Sequence, residues 1–154
     1  MTRLAVIVST FGYIGFFPVA PGTAGSAAGL AVYCLVRVLG LGVPEAITIL
    51  LLFVAGIASG TRAERHFGAV DPGPVVIDEV MGMLITLSAI PVGWGGALIG
   101  FVLFRILDVV KPYPASRLER LSGGLGIMAD DGIVAIYANL VLRVLWWLAP
   151  GWIT

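Results

Sequence analysis

The stretch VVIDEVMGMLITL, residues 75–87, sets two adjacent carboxylates, Asp78 and Glu79, at the head of an apolar run, and no further charge follows until Arg105. A segment of this kind needs either a large protein core or a lipid environment. The chain is too small to offer the first. Of its 154 residues 59% are hydrophobic and 12% charged, with a mean hydropathy of +1.05, whereas soluble domains carry about 25% charged residues. So short a fold cannot hide that much apolar surface from water. The sequence therefore reads as an all-α integral membrane protein, one domain over residues 1–154, with about five membrane-inserted helices in a polytopic bundle.

Working outward from residues 75–87, a spanning helix needs about 20 apolar residues, with a range of about 17–25. The run 76–90 and its successor 94–110 are both short for a span, and PVGWGG between them makes a turn rather than a kink. Upstream, a first helix is expected over 24–38, entered through PVAPGTAGS. A second is expected over 44–65, with Pro44 in its first turn. Downstream, a fifth is expected over 130–148, opened by Asp130 and Asp131 and anchored by Trp146 and Trp147 at its far end. The pairs Gly25/Gly29, Gly56/Gly60 and Gly96/Gly100 read as small-residue contacts that let helices approach closely. The N-terminus makes a poor signal peptide, since Arg3 is its one early positive charge and the run LAVIV is short.

Five spans sort the charges. One side receives Arg3, Arg62, Arg65, Arg105, Lys111, Arg117 and Arg120; the other receives Arg37 and Arg143. The excess of positive charge marks the first side as cytoplasmic. Asp71, Asp78, Glu79, Asp108, Glu119, Asp130 and Asp131 fall there too, leaving Glu45 on the opposite side. Zero formal net charge gives no sign of nucleic-acid binding, and the single cysteine, Cys34, excludes an internal disulfide and a thiolate metal site.

Three segments bring acids to the cytoplasmic helix ends: IDE (Asp78, Glu79), FRILDVVKPYP (Arg105, Asp108 and Lys111, three residues apart on one helix face before Pro112) and GIMADDG (Asp130, Asp131). Each alone has a structural reading as a helix cap, a first-turn acid or an intrahelical ion pair. Together they call for more. Ionisable groups in a membrane cost about 2.5–3.5 kcal/mol each on insertion scales and mark function. Converging carboxylates repel, and Arg105 and Lys111 offset only part of the charge. Oxygen ligands without His or Cys suit a hard cation such as Mg²⁺. Ahead of the first helix, Thr23, Ser26 and glycine-exposed N–H groups form a place that attracts phosphate.

In this order and spacing, PVAPGTAGS, IDEVMGMLITL, FRILDVVKPYP and GIMADDGIVAIYA resemble the phosphatidylglycerophosphatase A family over about residues 10–140. The resemblance implies a Mg²⁺-dependent phosphatase that releases phosphate from phosphatidylglycerophosphate in the inner (cytoplasmic) membrane of a bacterium, with its site facing the cytoplasm. Its substrate is a membrane phospholipid and its surroundings the bilayer; self-association as a homo-oligomer stays open. On this reading Glu79, Asp108, Asp130 and Asp131 hold the metal, with Asp78 among them or just behind. Arg105 and Lys111 neutralise the phosphate beside Thr23 and Ser26, and Asp131 or Asp78 is the base for an attacking water. His66, the lone histidine, is assigned to the surface. Rival readings are a cation or proton transporter, a non-catalytic lipid-binding scaffold, and a phosphatase of another anionic lipid or a polyprenyl phosphate.

Overall fold

The computed structural model describes residues 2–40, 42–118 and 120–154, and among them every regular element is helical. α1 (Thr2–Ser9) and a 3₁₀ turn (Ile14–Phe16) precede α2 (Pro21–Leu39), α3 (Val43–Phe67), α4 (Ile77–Leu87), α5 (Trp94–Val110), α6 (Ala115–Leu118), α7 (Gly124–Leu148) and α8 (Pro150–Ile153). Three of these, α2, α3 and α7, are long and apolar enough to cross a membrane. The 17 residues of α5 reach about 25 Å at 1.5 Å per residue, and the 11 of α4 only about 16 Å. The segment expected over 76–90 is thus a half-length helix, while 94–110 is helical as read from the sequence.

Short as it is, α4 is the axis of the bundle. Val80, Met81, Met83, Leu84 and Leu87 are each 1% exposed or less, the pattern of a helix enclosed on all sides. The other inserted helices pack around it and turn apolar side chains outward: Leu50, Leu51 and Val54 on α3, Leu98, Val102 and Ile106 on α5, Leu140 and Val144 on α7. That outer coat is what a lipid-facing surface requires. Gly29 lets α2 close onto α4, since a Cβ there would stand 2.7 Å from the Val80 carbonyl and 2.8 Å from Met83 Cβ.

A buried helix end must find partners for its last carbonyls. At the foot of α4 they come from α7. The Asn139 side-chain nitrogen stands 3.2 Å from the Ile85 carbonyl, 2.9 Å from Thr86 O and 3.0 Å from Ser88 O. Arg143 donates from Nε to Asn139 Oδ1 at 2.7 Å and from Nη2 to Ser88 O at 3.3 Å. Arg37 donates to Val92 O at this same end, where Trp94, Trp147 and Trp152 lie exposed as an aromatic belt. Arg37, Arg143 and Glu45 therefore gather at one end of the bundle, and the remaining described acids at the other. Glu119 lies outside the described residues.

One expected boundary is corrected. Asp130 and Asp131 do not open the last helix, because α7 begins at Gly124, about two turns earlier. The sequence GGLG has no capping side chain of its own, and the cap comes from α3. Thr61 Oγ1 accepts the Gly124 N–H at 2.9 Å, and Glu64 Oε2 accepts the Gly123 N–H at 2.8 Å. The two aspartates consequently project from a helix interior into the bundle.

Candidate active site

α4 starts where its first turn can bring Asp78 and Glu79 beneath the acid-bearing turn of α7. One oxygen each from Asp78, Glu79 and Asp131 lies within 4.8 Å of the others. Asp78 is 5% exposed and Asp131 2%. Asp78 Oδ1, Glu79 Oε2, Asp130 Oδ1 and Asp131 Oδ2 are buried without a hydrogen-bond partner among the described residues. Buried carboxylate oxygens without donors are costly unless a cation meets them. Two oxygens on one Mg²⁺ sit at most about 4.2 Å apart at a bond length of about 2.1 Å. The Asp78–Glu79–Asp131 trio could close on such an ion by drawing its side chains together, and its oxygen-only chemistry suits a hard cation.

The remaining sequence-selected acids are engaged with cations. Asp108 Oδ2 pairs with Arg105 Nη1 at 2.9 Å, and the same nitrogen stands 3.7 Å from Glu79 Oε1. Asp130 Oδ2 pairs with Lys111 Nζ at 2.7 Å, with Asp71 Oδ2 3.8 Å from that nitrogen. Lys111 ends α5 in a left-handed conformation, φ 43, just before Pro112. Burial alone would lower the pKa of its ammonium, but the hydrogen bond and charge of Asp130, then Asp131 and Asp71, outweigh that and raise it. Lys111 is thus held protonated at the edge of the acid cluster.

A cavity of about 510 Å³ opens between these groups, lined by Asp71, Gly73, Val75, Asp78, Glu79, Asp108, Val109, Val110, Lys111, Ser116 and Asp131. Of the two expected phosphate contacts on α2, Ser26 is buried and accepts Arg105 Nη1 at 3.3 Å while donating to Gly22 O at 2.9 Å. Thr23 is exposed and does not line the cavity. Gly22 is tighter than its sequence context announced. A Cβ there would collide with Glu79 Oε1 and stand 2.9 Å from Arg105 Nη2. His66 lies apart, in a smaller cavity with Thr2, Arg3, Val6 and Tyr13.

Three participants escaped the sequence reading: Glu64, Asp71 as a wall of the cavity, and Ser116. Glu64 sits among Arg62, Arg65 and His66 near the end of α3. Its Oε1 lies 3.4 Å from the Asp71 N–H while Oε2 caps α7, tying the α3–α4 loop to the helix that carries Asp131. The turn signal DPGP at 71–74 was the available clue to Asp71.

With that geometry in place, comparison with known proteins decides the family. The sequence profile of phosphatidylglycerophosphatase A matches residues 7–146. The chain belongs to the phosphatidylglycerophosphatase A family. Two proteins of that name are 38% identical over 138 residues (Haemophilus influenzae; 87% of this chain, 84% of the relative) and 35% identical over 130 residues (Escherichia coli; 83% and 75%). A third relative, from Bacteroides thetaiotaomicron, is 37% identical over 152 residues, 94% of this chain and 95% of its own length, and is provisionally named a phosphatidylinositol-3-phosphatase. No solved structure matches the chain. Family membership makes it an enzyme, a phosphoric monoester hydrolase, and with helices apolar enough to span a bilayer it is a membrane protein. The transporter and scaffold readings fall away.

Proposed function

We propose that this membrane phosphatase hydrolyses the terminal phosphomonoester of phosphatidylglycerophosphate, with Mg²⁺ held by Asp78, Glu79 and Asp131, at the cytoplasmic face of a bacterial inner membrane. The observation that carries the metal assignment is the trio of carboxylate oxygens within 4.8 Å, two of their acids on α4 and one on α7, with buried oxygens that no described group satisfies. When bound, the metal would supply Lewis-acid polarisation of the phosphoryl group. The chain's own residues do the rest. Arg105, braced by Asp108 and Ser26, holds a planar cation beside Glu79, behind the acids that line the cavity. Lys111, kept charged by Asp130 and Asp71, places a second cation at the cavity edge to take up negative charge on the phosphate oxygens. Asp131 or Asp78 accepts the proton of an attacking water.

Purified protein in detergent should release phosphate from phosphatidylglycerophosphate only with a divalent cation present. EDTA should abolish turnover reversibly, and Glu79→Gln and Asp131→Asn should each remove it at unchanged expression. Full activity in either variant would reject the metal assignment. The Bacteroides relative favours one second reading, a phosphatase of a different anionic lipid. Phosphatidylinositol 3-phosphate belongs in the substrate panel, and faster release from it would replace the phosphatidylglycerophosphate assignment.

A further inference from the structure

We propose that the outward face of α5 is the track along which the substrate's acyl chains lie, and that Val109 and Val110 form a threshold across which the phosphorylated head group slides sideways into the acid cavity. The proposal rests on the lipid-phosphatase reading and adds the route to the site. α5 has two distinct faces. Ala97, Gly100, Phe104 and Asp108 are buried at helical spacing. Opposite them Leu98, Val102, Ile106 and Val109 follow at intervals of four, four and three residues, 60%, 53%, 54% and 78% exposed. Such spacing keeps all four on one stripe. The helix begins at Trp94, 76% exposed in the aromatic belt of the far end, and ends at the acids, so the stripe runs from one interface to the site.

Other helices also show apolar faces to lipid, but Leu50, Leu51 and Val54 on α3 and Leu140 and Val144 on α7 do not line the acid cavity. Val109 does, together with Val110, which is 66% exposed. The cavity thus has a charged floor of Asp78, Glu79 and Asp131 and an apolar lip that continues into the α5 stripe. Asp108 and Val109 are adjacent residues pointing to opposite surroundings, one paired with Arg105 and the other bare. A phospholipid has the same division between head and chains. A lipid lying on α5 reaches the floor with its head while its chains stay in the bilayer, and no chain has to be drawn into water.

Two measurements on the full chain test this. In mixed micelles, KM for dioleoyl phosphatidylglycerophosphate is compared with KM for its deacylated head group. Val109→Ser and Val102→Ser should raise the ratio of the two about five-fold, and Val54→Ser on α3 should keep the wild-type ratio. In phosphatidylcholine vesicles, a phosphatidylglycerophosphate with a photoreactive acyl chain should label α5 near Val102 and Val109, and excess unlabelled phosphatidylglycerophosphate should suppress that labelling but not labelling of α3. An active enzyme whose ratio is indifferent to Val109, or labelling spread evenly over α3 and α5, would overturn the track while leaving the phosphatase reading intact. Absence of phosphate release from either substrate would sink the phosphatidylglycerophosphate assignment, and the labelling pattern would still decide the track.

Discussion

Gly22→Ala is a sharp test because it separates folding from chemistry. Gly22 is in the first turn of α2, where alanine is the better helix former by up to about 1 kcal/mol. The added methyl, however, points at the site. It would stand 2.9 Å from Arg105 Nη2 and 3.1 Å from Nη1, where ordinary contact begins at 3.4 Å, and it overlaps Glu79 Oε1 outright. Both neighbours are the ends of flexible side chains, so they yield before any backbone does. Arg105 then retreats by about 0.5 Å and Glu79 by more. Misplacing catalytic groups by about 1 Å costs about 10²-fold, so kcat/KM should fall about 10–100-fold. The unfolding temperature in detergent should stay within about 4 °C of wild type, the shift expected for up to about 1 kcal/mol in a chain of this length. Gly132→Ala is the matched control, next to Asp131 but with Met81 Cε at an ordinary 3.8 Å as its nearest neighbour, and it should keep the wild-type rate. Full activity of Gly22→Ala would show that the positions of Glu79 and Arg105 seen here are not the operative ones.

Lys111→Met strands Asp130 without its closest cation, a change that costs about 3–5 kcal/mol for a buried pair. With the Lys111 side chain 19% exposed the low end applies, a fall of about 6–12 °C in the unfolding temperature; adding Asp130→Asn should recover at least half of it while phosphate release stays absent, and a double variant as unstable as the single one would deny the pair its role. Glu64→Ala should slow phosphate release by about ten-fold or more through loss of both backbone contacts, and Glu64→Gln, whose one amide oxygen can accept from Asp71 N–H or Gly123 N–H but not both, should fall between it and wild type; a wild-type rate in Glu64→Ala would remove Glu64 from the support of the site. Asn139→Ala leaves carbonyls at the foot of α4 without their donor and should destabilise the protein by about 1–3 kcal/mol, measured by thermal unfolding; an unchanged midpoint would mean water or Arg143 takes over.

The sequence disclosed most where a signal is local. Trp94 after PVG and Pro112 after Lys111 bracket α5, and its ends are where the residues put them. The gathering of acids at one end followed from counting spans. What stayed hidden depends on which helix faces which. The Arg105–Asp108 pair was readable from its three-residue spacing within α5, but Asp130 and Asp131 are indistinguishable in the sequence, and only the packing of α5 and α7 around α4 hands Asp130 to Lys111 and leaves Asp131 beside Asp78 and Glu79. The start of α7 was unreadable because its cap is a threonine and a glutamate more than fifty residues upstream. α1, at 8 residues, is too brief for a periodic pattern and is stabilised by packing on α3.

The arrangement at the foot of α4 also constrains the order in which the chain can be built. α4 leaves the ribosome before α7 exists, yet the donors that satisfy its last carbonyls, Asn139 and Arg143, arrive with α7. In hydrocarbon each such carbonyl would cost several kcal/mol, and so short a helix cannot reach the opposite water on its own. The acid-bearing helix must therefore wait near the translocon until the last long helix is made, and in nascent chains halted before Asn139 a single cysteine introduced by Leu84→Cys or Leu87→Cys, with Cys34→Ser, should react with water-soluble thiol reagents that the finished protein, where both positions are fully buried, excludes.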